Sequence, residues 1–225
     1  MTIGELAYEC LKFSAGDTAF SLSFDDFCNG VQKDDDYLSY SYGRIFVDIN
    51  AFFGILQQAE KVPLKQQAFN AGDLEEGNEI PISSLKLKPY QIKNVFQFSN
   101  GSDWVNLDWT KTESEEKGKT IRIEGARYKD RPVFVEYRPQ VQYFRQSDVK
   151  PLKNGEDVSV DLSEEYGISP EVYPICIDYV ASRQNMESNQ QLSVLQKRDA
   201  EAYINALGVD ETPHNPSCIR RKRSI

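Results

Sequence analysis

The sequence predicts an α+β fold, with N- and C-terminal helices packed as a helical bundle and an antiparallel β-lobe inserted between them. Three observations predict it. Apolar residues recur at helical spacing from Ile3 to Leu11 and again from Ile45 to Leu56. Short runs of β-formers then occupy Ser84 to Tyr137. Helical spacing returns between Pro170 and Leu207. Helices and strands segregated along the chain in this way point to α+β rather than to alternating βαβ units.

Thr2-Ile3-Gly4-Glu5 reads as a capping box, with the Thr hydroxyl placed for the amide of Glu5 and the Glu carboxylate reaching back. Ile3, Leu6, Ala7, Cys10 and Leu11 make one face of a short helix ending near Phe13. Ser23 is placed to cap a second short helix through Phe24 and Phe27, stopped at Asn29-Gly30. Asp34, Asp35 and Asp36 lack the DxDxDG spacing of a calcium loop and read instead as acidic residues leading into a helix N-terminus. That helix runs from Tyr37 to Ala59, with Ile45, Ile49, Phe52, Phe53 and Leu56 on its buried face.

Leu64 to Glu79 is polar and reads as loop. Ser84–Leu87, Ile92–Phe98, Trp104–Trp109, Thr120–Ile123 and Val133–Tyr137 then predict one antiparallel sheet of four or five strands. Asn100-Gly101 marks a tight turn, and Lys111 to Lys119 reads as a charged loop. Phe144 to Gly167 reads as a connecting region, with Val158-Ser159-Val160 a candidate short strand. Ser169, Pro170 and Glu171 suit a helix start, and Val172, Ile175, Cys176, Tyr179 and Val180 form its stripe. After a polar break, Leu192, Leu195, Tyr203, Ile204 and Leu207 form a second stripe, closed by Gly208. The domain reading is residues 1–79 for the N-terminal helices and 80–145 for the β-lobe. Residues 146–208 complete the helical body, and 209–225 form an extended basic tail.

The 225 residues carry a formal net charge of −9, unevenly spread. Residues 1–80 hold 5 basic against 14 acidic side chains, whereas 81–145 hold 12 against 8. An acidic total argues against wrapping nucleic acid, which needs cations to neutralise phosphate. No run approaches the length of a bilayer span, and the N-terminus lacks a signal-peptide pattern. Cys10, Cys28, Cys176 and Cys218 have neither zinc-knuckle nor redox spacing; Cys10 and Cys176 read as small buried hydrophobes.

The sequence gives no sign of an enzyme or of a cofactor or metal site. The single histidine, His214, lies between Pro213 and Asn215, a poor place to hold a general base. Nucleophile-elbow, P-loop and dinucleotide-binding motifs are absent from the sequence. The acidic pairs Glu115-Glu116 and Glu164-Glu165 fall in charged loops and read as solvated surface. In the tail, Arg220, Arg221, Lys222 and Arg223 are four consecutive cations without interleaved aromatics, able to contact phosphate or an acidic protein groove but not to stack bases.

This layout resembles the head-to-tail adaptor or connector proteins of tailed bacteriophages, including the tail tubular type. The residues that carry the resemblance are Thr2-Ile3-Gly4-Glu5-Leu6-Ala7, the helix from Tyr42-Gly43-Arg44-Ile45 to Gln57-Gln58-Ala59, and the β-lobe from Ile92-Lys93-Asn94-Val95 to Val135-Glu136-Tyr137-Arg138-Pro139. Ser169-Pro170-Glu171-Val172-Tyr173, Asp178 to Arg183, and Lys197 to Tyr203 follow. The resemblance implies a non-enzymatic virion protein of the neck or tail, assembled in the host cytoplasm. It implies a homo-oligomeric ring, usually of twelve copies, between the portal protein and the tail or nozzle proteins. DNA would pass through its channel during ejection without sequence-specific binding. The C-terminal tail of this family commonly reaches the portal, so Arg220, Arg221, Lys222 and Arg223 are the expected portal-docking residues. The alternative is a carbohydrate- or protein-binding module whose aromatic β-lobe presents Tyr90, Trp104, Trp109, Tyr128, Tyr137 and Tyr143.

Overall fold

A computed structural model describes residues 1–15, 21–30, 36–70, 74, 78–99, 103–114, 118–124, 130–184 and 190–207. It contains both helices and antiparallel sheets, so the chain is α+β. Two compact units emerge. Met1–Val62 and Val141–Gly208 make the first, and Pro63–Gln140 make the second.

The first unit is helical. It contains α1 (Ile3–Ala15), α2 (Phe24–Cys28), α3 (Asp36–Gln58), α4 (Leu162–Tyr166), α5 (Val172–Gln184) and α6 (Gln190–Ala206). The capping box forms as the sequence dictates: Glu5 N donates to Thr2 Oγ1 at 3.0 Å and Thr2 N donates to Glu5 Oε2 at 2.9 Å. Ile3, Leu6, Cys10 and Leu11 are fully buried. Each contributes roughly 1.5–3 kcal/mol relative to exposure for the larger side chains. Facing them are Ile45, Ile49, Phe52 and Leu56 of α3 and Val172, Cys176, Tyr179 and Val180 of α5. Ser23 caps α2 by accepting from Asp26 N at 3.1 Å. Asp161 caps α4 through the amides of Ser163 and Glu164, and Gly167 ends it at φ 72°, where a Cβ would be strained.

A second stitch joins the two ends of this unit. Ile3 N donates to Val160 O at 2.9 Å and Leu162 N donates to Met1 O at 3.1 Å. Thr2 thereby pairs antiparallel with Asp161. Of residues 158–160 only the Val160 carbonyl takes part in this isolated bridge; the strand expected over Val158–Val160 does not form. Its residues hold the start of α1 instead of joining a sheet. In α6 the expected stripe is also corrected. Ile204 is buried and Leu207 half-buried, but Leu195 and Tyr203 are 57% and 62% exposed. The side chain of Leu192 lies outside what is described; among the described side chains of the helix, Ala200 and Ile204 are the buried ones, and the helix packs against α5.

The second unit is built from two antiparallel sheets rather than the single sheet expected. One has the order β1-β7-β3-β4, from Lys65–Phe69, Val133–Pro139, Pro89–Phe98 and Trp104–Asn106; the other has the order β2-β6-β5, from Glu79–Pro81, Gly118–Glu124 and Asp108–Ser114. Their inner faces share one core of Phe69, Ile80, Ile92, Val95, Ile121, Ile123, Val133, Val135 and Tyr137. Leu64–Glu79 is therefore not all loop. Lys65–Phe69 lacks an apolar alternation of its own, but it pairs residue for residue with β7, Phe69 opposite Val133. The charged stretch at 111–119 is not all loop either. Lys111 to Ser114 extend β5 and pair with β6 from Gly118. In contrast, Ser84 ends a single 3-10 turn, Ile82–Ser84, in place of the strand expected at Ser84–Leu87. β7 was expected to be half-buried; lying between β1 and β3, it is buried on both faces apart from half-buried Phe134.

Candidate interaction sites

The second unit presents two surfaces with chemical character. The first is a cleft at one end of the two-sheet core. Along the inner face of β5 and β6 the residues run Trp109 opposite Ile123, Lys111 opposite Ile121, and Glu113 opposite Lys119. Strand geometry places alternate residues on one face, so Lys111, Glu113 and Lys119 continue the face that Ile121 and Ile123 bury. The core thus turns from apolar to charged within two residue pairs. Across from these stand Lys88, Pro89 and Ile92 at the start of β3, and Ile82 of the 3-10 turn. They bound an open cleft of about 360 Å³, which adjoins a second of the same volume sharing Ile82, Lys88, Pro89 and Lys119.

All three lysines are exposed. Among the described residues, no carboxylate lies within ion-pair distance of any of them. Elsewhere in the same sheet an ion pair does form: Arg122 Nε and Nη2 donate to Glu79 Oε1 at 2.9 and 2.6 Å. The cleft therefore concentrates positive charge over an apolar floor of Ile82, Pro89 and Ile92.

The second surface is the outer face of the β1-β7-β3-β4 sheet. Phe96 and Phe134 are cross-strand partners and stack at 5.4 Å with planes 3° apart. Trp104 sits 4.0 Å from Phe96 and 4.3 Å from Phe98 by ring centroids. Phe96 is buried beneath these rings, whereas Phe98, Trp104 and Phe134 are half-buried. Glu136 accepts from Gln66 Nε2 at 2.9 Å on the same face.

Of the six aromatics expected to form a binding face, those described in the second unit do not share one face. Tyr137 is buried in the core between the sheets, where its hydroxyl accepts from Leu87 N at 3.4 Å, and Trp109 packs against that core. Tyr90 is 48% exposed, Tyr143 belongs to the helical unit, and Tyr128 lies outside the described residues. Only Trp104 joins the outer cluster, together with phenylalanines that alternate in β3 and β7. The signal for that cluster was present in the sequence as Phe96-Gln97-Phe98, but its partner Phe134 is set by strand pairing. Arg220, Arg221, Lys222, Arg223 and His214 lie outside the described residues, as do Asp34, Asp35 and Glu115-Glu116. Glu164 is exposed and Glu165 half-buried, both in the first turn of α4.

The helical unit holds its charges differently. Asp48 is 1% exposed and accepts from Arg183 Nε at 2.5 Å and Gln184 Nε2 at 3.1 Å, with Arg44 Nε 3.9 Å away. Burial pushes the Cys176 thiol well above its ordinary pKa, reinforced by the neighbouring Cys10 thiol. Burial, with the charge of Asp157 adding to it, pushes Cys28 up to about 11. Thiols so held are poor nucleophiles at neutral pH. Among the described residues no group of three or more His, Cys, Asp or Glu side chains is arranged to hold a metal ion, and no helix is long and apolar enough to cross a membrane.

Neither protein-family models nor curated proteins nor solved structures give a match to this chain.

Proposed function

We propose that this chain is a virion structural protein, a head-to-tail connector or adaptor ring that joins portal to tail and lines the DNA channel. The observation that carries the reading is how charge is divided between the units. Met1–Val62 and Val141–Gly208 hold 10 basic and 21 acidic residues, a formal −11, whereas Pro63–Gln140 hold 12 of each. A wall along which DNA slides must repel phosphate, and an acidic helical unit does so. The β-unit is then free to meet neighbours, and the basic residues Arg220 to Arg223 suit docking onto an acidic portal groove. The resemblance of the sequence layout to the adaptor family points the same way.

Electron microscopy of the purified protein, alone and mixed with portal, tests it. Closed rings that cap the portal are expected. A protein that stays monomeric at high concentration and beside portal overturns the reading. Removal of residues 220–223 weakens portal attachment if the tail docks there; unchanged attachment overturns that role.

A second reading draws on the outer cluster of Phe96, Phe98, Trp104 and Phe134. Half-buried rings on a sheet face suit a carbohydrate or a protein partner. Binding on a glycan array that is lost in Trp104→Ala distinguishes this reading from the ring.

A further inference from the structure

The lysine-lined cleft lies against an open strand edge. The strand β5 is at one end of the order β2-β6-β5, so one row of its backbone amides and carbonyls faces away from β6. Among the described residues no strand pairs with that side. Lys111, Thr112 and Glu113 all line the cleft. Lys111 and Glu113 face it with their side chains and Thr112 borders it between them, so the cleft follows the length of this edge strand.

Two features thus coincide, an unpaired edge and three cations without carboxylate partners among the described residues, standing over apolar Ile82, Pro89 and Ile92. Inward-pointing charges at an edge also serve to discourage aggregation, a role that needs no ligand. That role does not explain Lys88, which directly precedes β3 of the other sheet and brings a third positive charge to the same 360 Å³ cleft. Three lysines against the single carboxylate of Glu113 leave the cleft with a net positive charge, which an anionic occupant offsets.

We infer that this cleft binds an extended acidic peptide segment, added as a strand along the free edge of β5. Main-chain hydrogen bonds to β5 supply the pairing, and the alternation of the added strand sorts its side chains. On the face turned to the core its acidic side chains meet Lys88, Lys111 and Lys119 over the floor of Ile82, Pro89 and Ile92, and its alternate side chains turn to the outer face. Both adjoining clefts are open rather than enclosed, which favours a chain over a compact ligand held in an enclosed pocket. The inference is independent of ring formation, since the segment need not come from a second copy.

The full-length chain is titrated into a short, fluorescein-labelled peptide alternating glutamate with valine, and anisotropy is recorded. Saturable binding is expected, weakening as ionic strength rises past about 0.15 M. The variant Lys88→Glu/Lys111→Glu/Lys119→Glu is expected to weaken it at least about tenfold. Each single Lys→Gln variant is expected to weaken it by a few-fold, which keeps the test decisive if the triple variant does not fold. N-methylation of alternate peptide amides, which blocks strand pairing but keeps the charge, is expected to abolish binding. Equal affinity for a lysine–valine peptide, unchanged affinity in the lysine variants, or undiminished binding of the N-methylated peptide overturns the inference. So does a protein that binds no peptide while the lysine variants merely aggregate.

Discussion

Arg183 of α5 closes its Nε onto the carboxylate of Asp48 in α3 at 2.5 Å, 135 residues away in the chain. The two residues are buried very unequally, with Asp48 1% exposed and Arg183 36% exposed at the side chain. The bond to Asp48 lifts the Arg183 guanidinium above its ordinary pKa, and burial only partly opposes it. The unequal burial makes the pair asymmetric. Removing the arginine leaves a carboxylate in the core with Arg44 3.9 Å away as its remaining cation. Removing the aspartate releases a guanidinium that reaches water. Arg183→Met is therefore expected to cost about 3 kcal/mol and Asp48→Asn about half that. Urea denaturation measures both, and equal costs, or a larger cost for Asp48→Asn, contradict the arrangement.

The start of α1 makes a closer approach. A Cβ on Gly4 would lie 2.7 Å from Asp157 Oδ2 and 3.2 Å from Ser159 Oγ. Asp157 has little room to retreat. Its Oδ2 accepts from the Thr2 hydroxyl and its Oδ1 from Ser159 N at 2.8 Å. In an isolated helix Gly→Ala gains about 1 kcal/mol. Here the clash and the loosened stitch outweigh that gain, and Gly4→Ala is expected to lower stability by about 1–2 kcal/mol. A thermal melt that rises in Gly4→Ala shows that the approach is not tight.

The contrast between these local features and the sheets explains what the sequence made legible. The capping box of Thr2 and Glu5, the Ser23 cap and the stripes of α3 and α5 depend on neighbours three or four residues apart, so spacing reveals them. β1 was missed because Lys-Gln-Gln-Ala-Phe becomes a strand only through β7, some seventy residues on. The polar end of β5 was read as loop for a related reason. Its lysine and glutamate side chains lie on the inner face but at the mouth of the core, where charge still reaches water. The cleft was illegible altogether. Lys88, Lys111 and Lys119 share it only because two sheets with interleaved strand order pack face to face.

The outer aromatic cluster makes a prediction of its own. Phe134 stacks flat on Phe96 and stands edge-on to Phe98 at 5.3 Å. Phe134→Leu keeps the residue apolar but removes its ring contacts with Phe96, Phe98 and Trp104, of which the close ones are worth about 0.5–1.5 kcal/mol each beyond burial. A loss of about 1–2 kcal/mol is expected. Trp104, 6.3 Å from Phe134, then gains freedom, and its fluorescence shifts to longer wavelength. Unchanged emission with a full loss of stability would mean that Trp104 is held by Phe96 and Phe98 alone.

Two carboxylates of the helical unit give opposite pH dependences. Burial works against the charge on Asp161, but the Glu164 amide, the Met1 ammonium at 3.3 Å and the Ser163 amide outweigh it and hold its pKa below the ordinary value. A lowered folded-state pKa adds stability that is present above the unfolded-state pKa and is lost as pH falls through the folded one. Asp161→Ala is therefore expected to cost about 1 kcal/mol at pH 7, the usual worth of an N-cap. That cost shrinks as the solution is acidified below the carboxylate range. Asp178 runs the other way, because burial first and the charge of Asp199 second raise its pKa. Its contribution is full below the unfolded-state pKa and is lost as pH rises through the folded one. Asp178 is exposed by surface area, so solvent screens most of the repulsion. Asp178→Asn should accordingly stabilise at pH 7 by only a few tenths of a kcal/mol, with the gain fading both at low pH and in high salt. Denaturation midpoints of both variants across pH 3–8 decide the matter, and two curves that bend in the same direction would refute the opposed environments of these carboxyls.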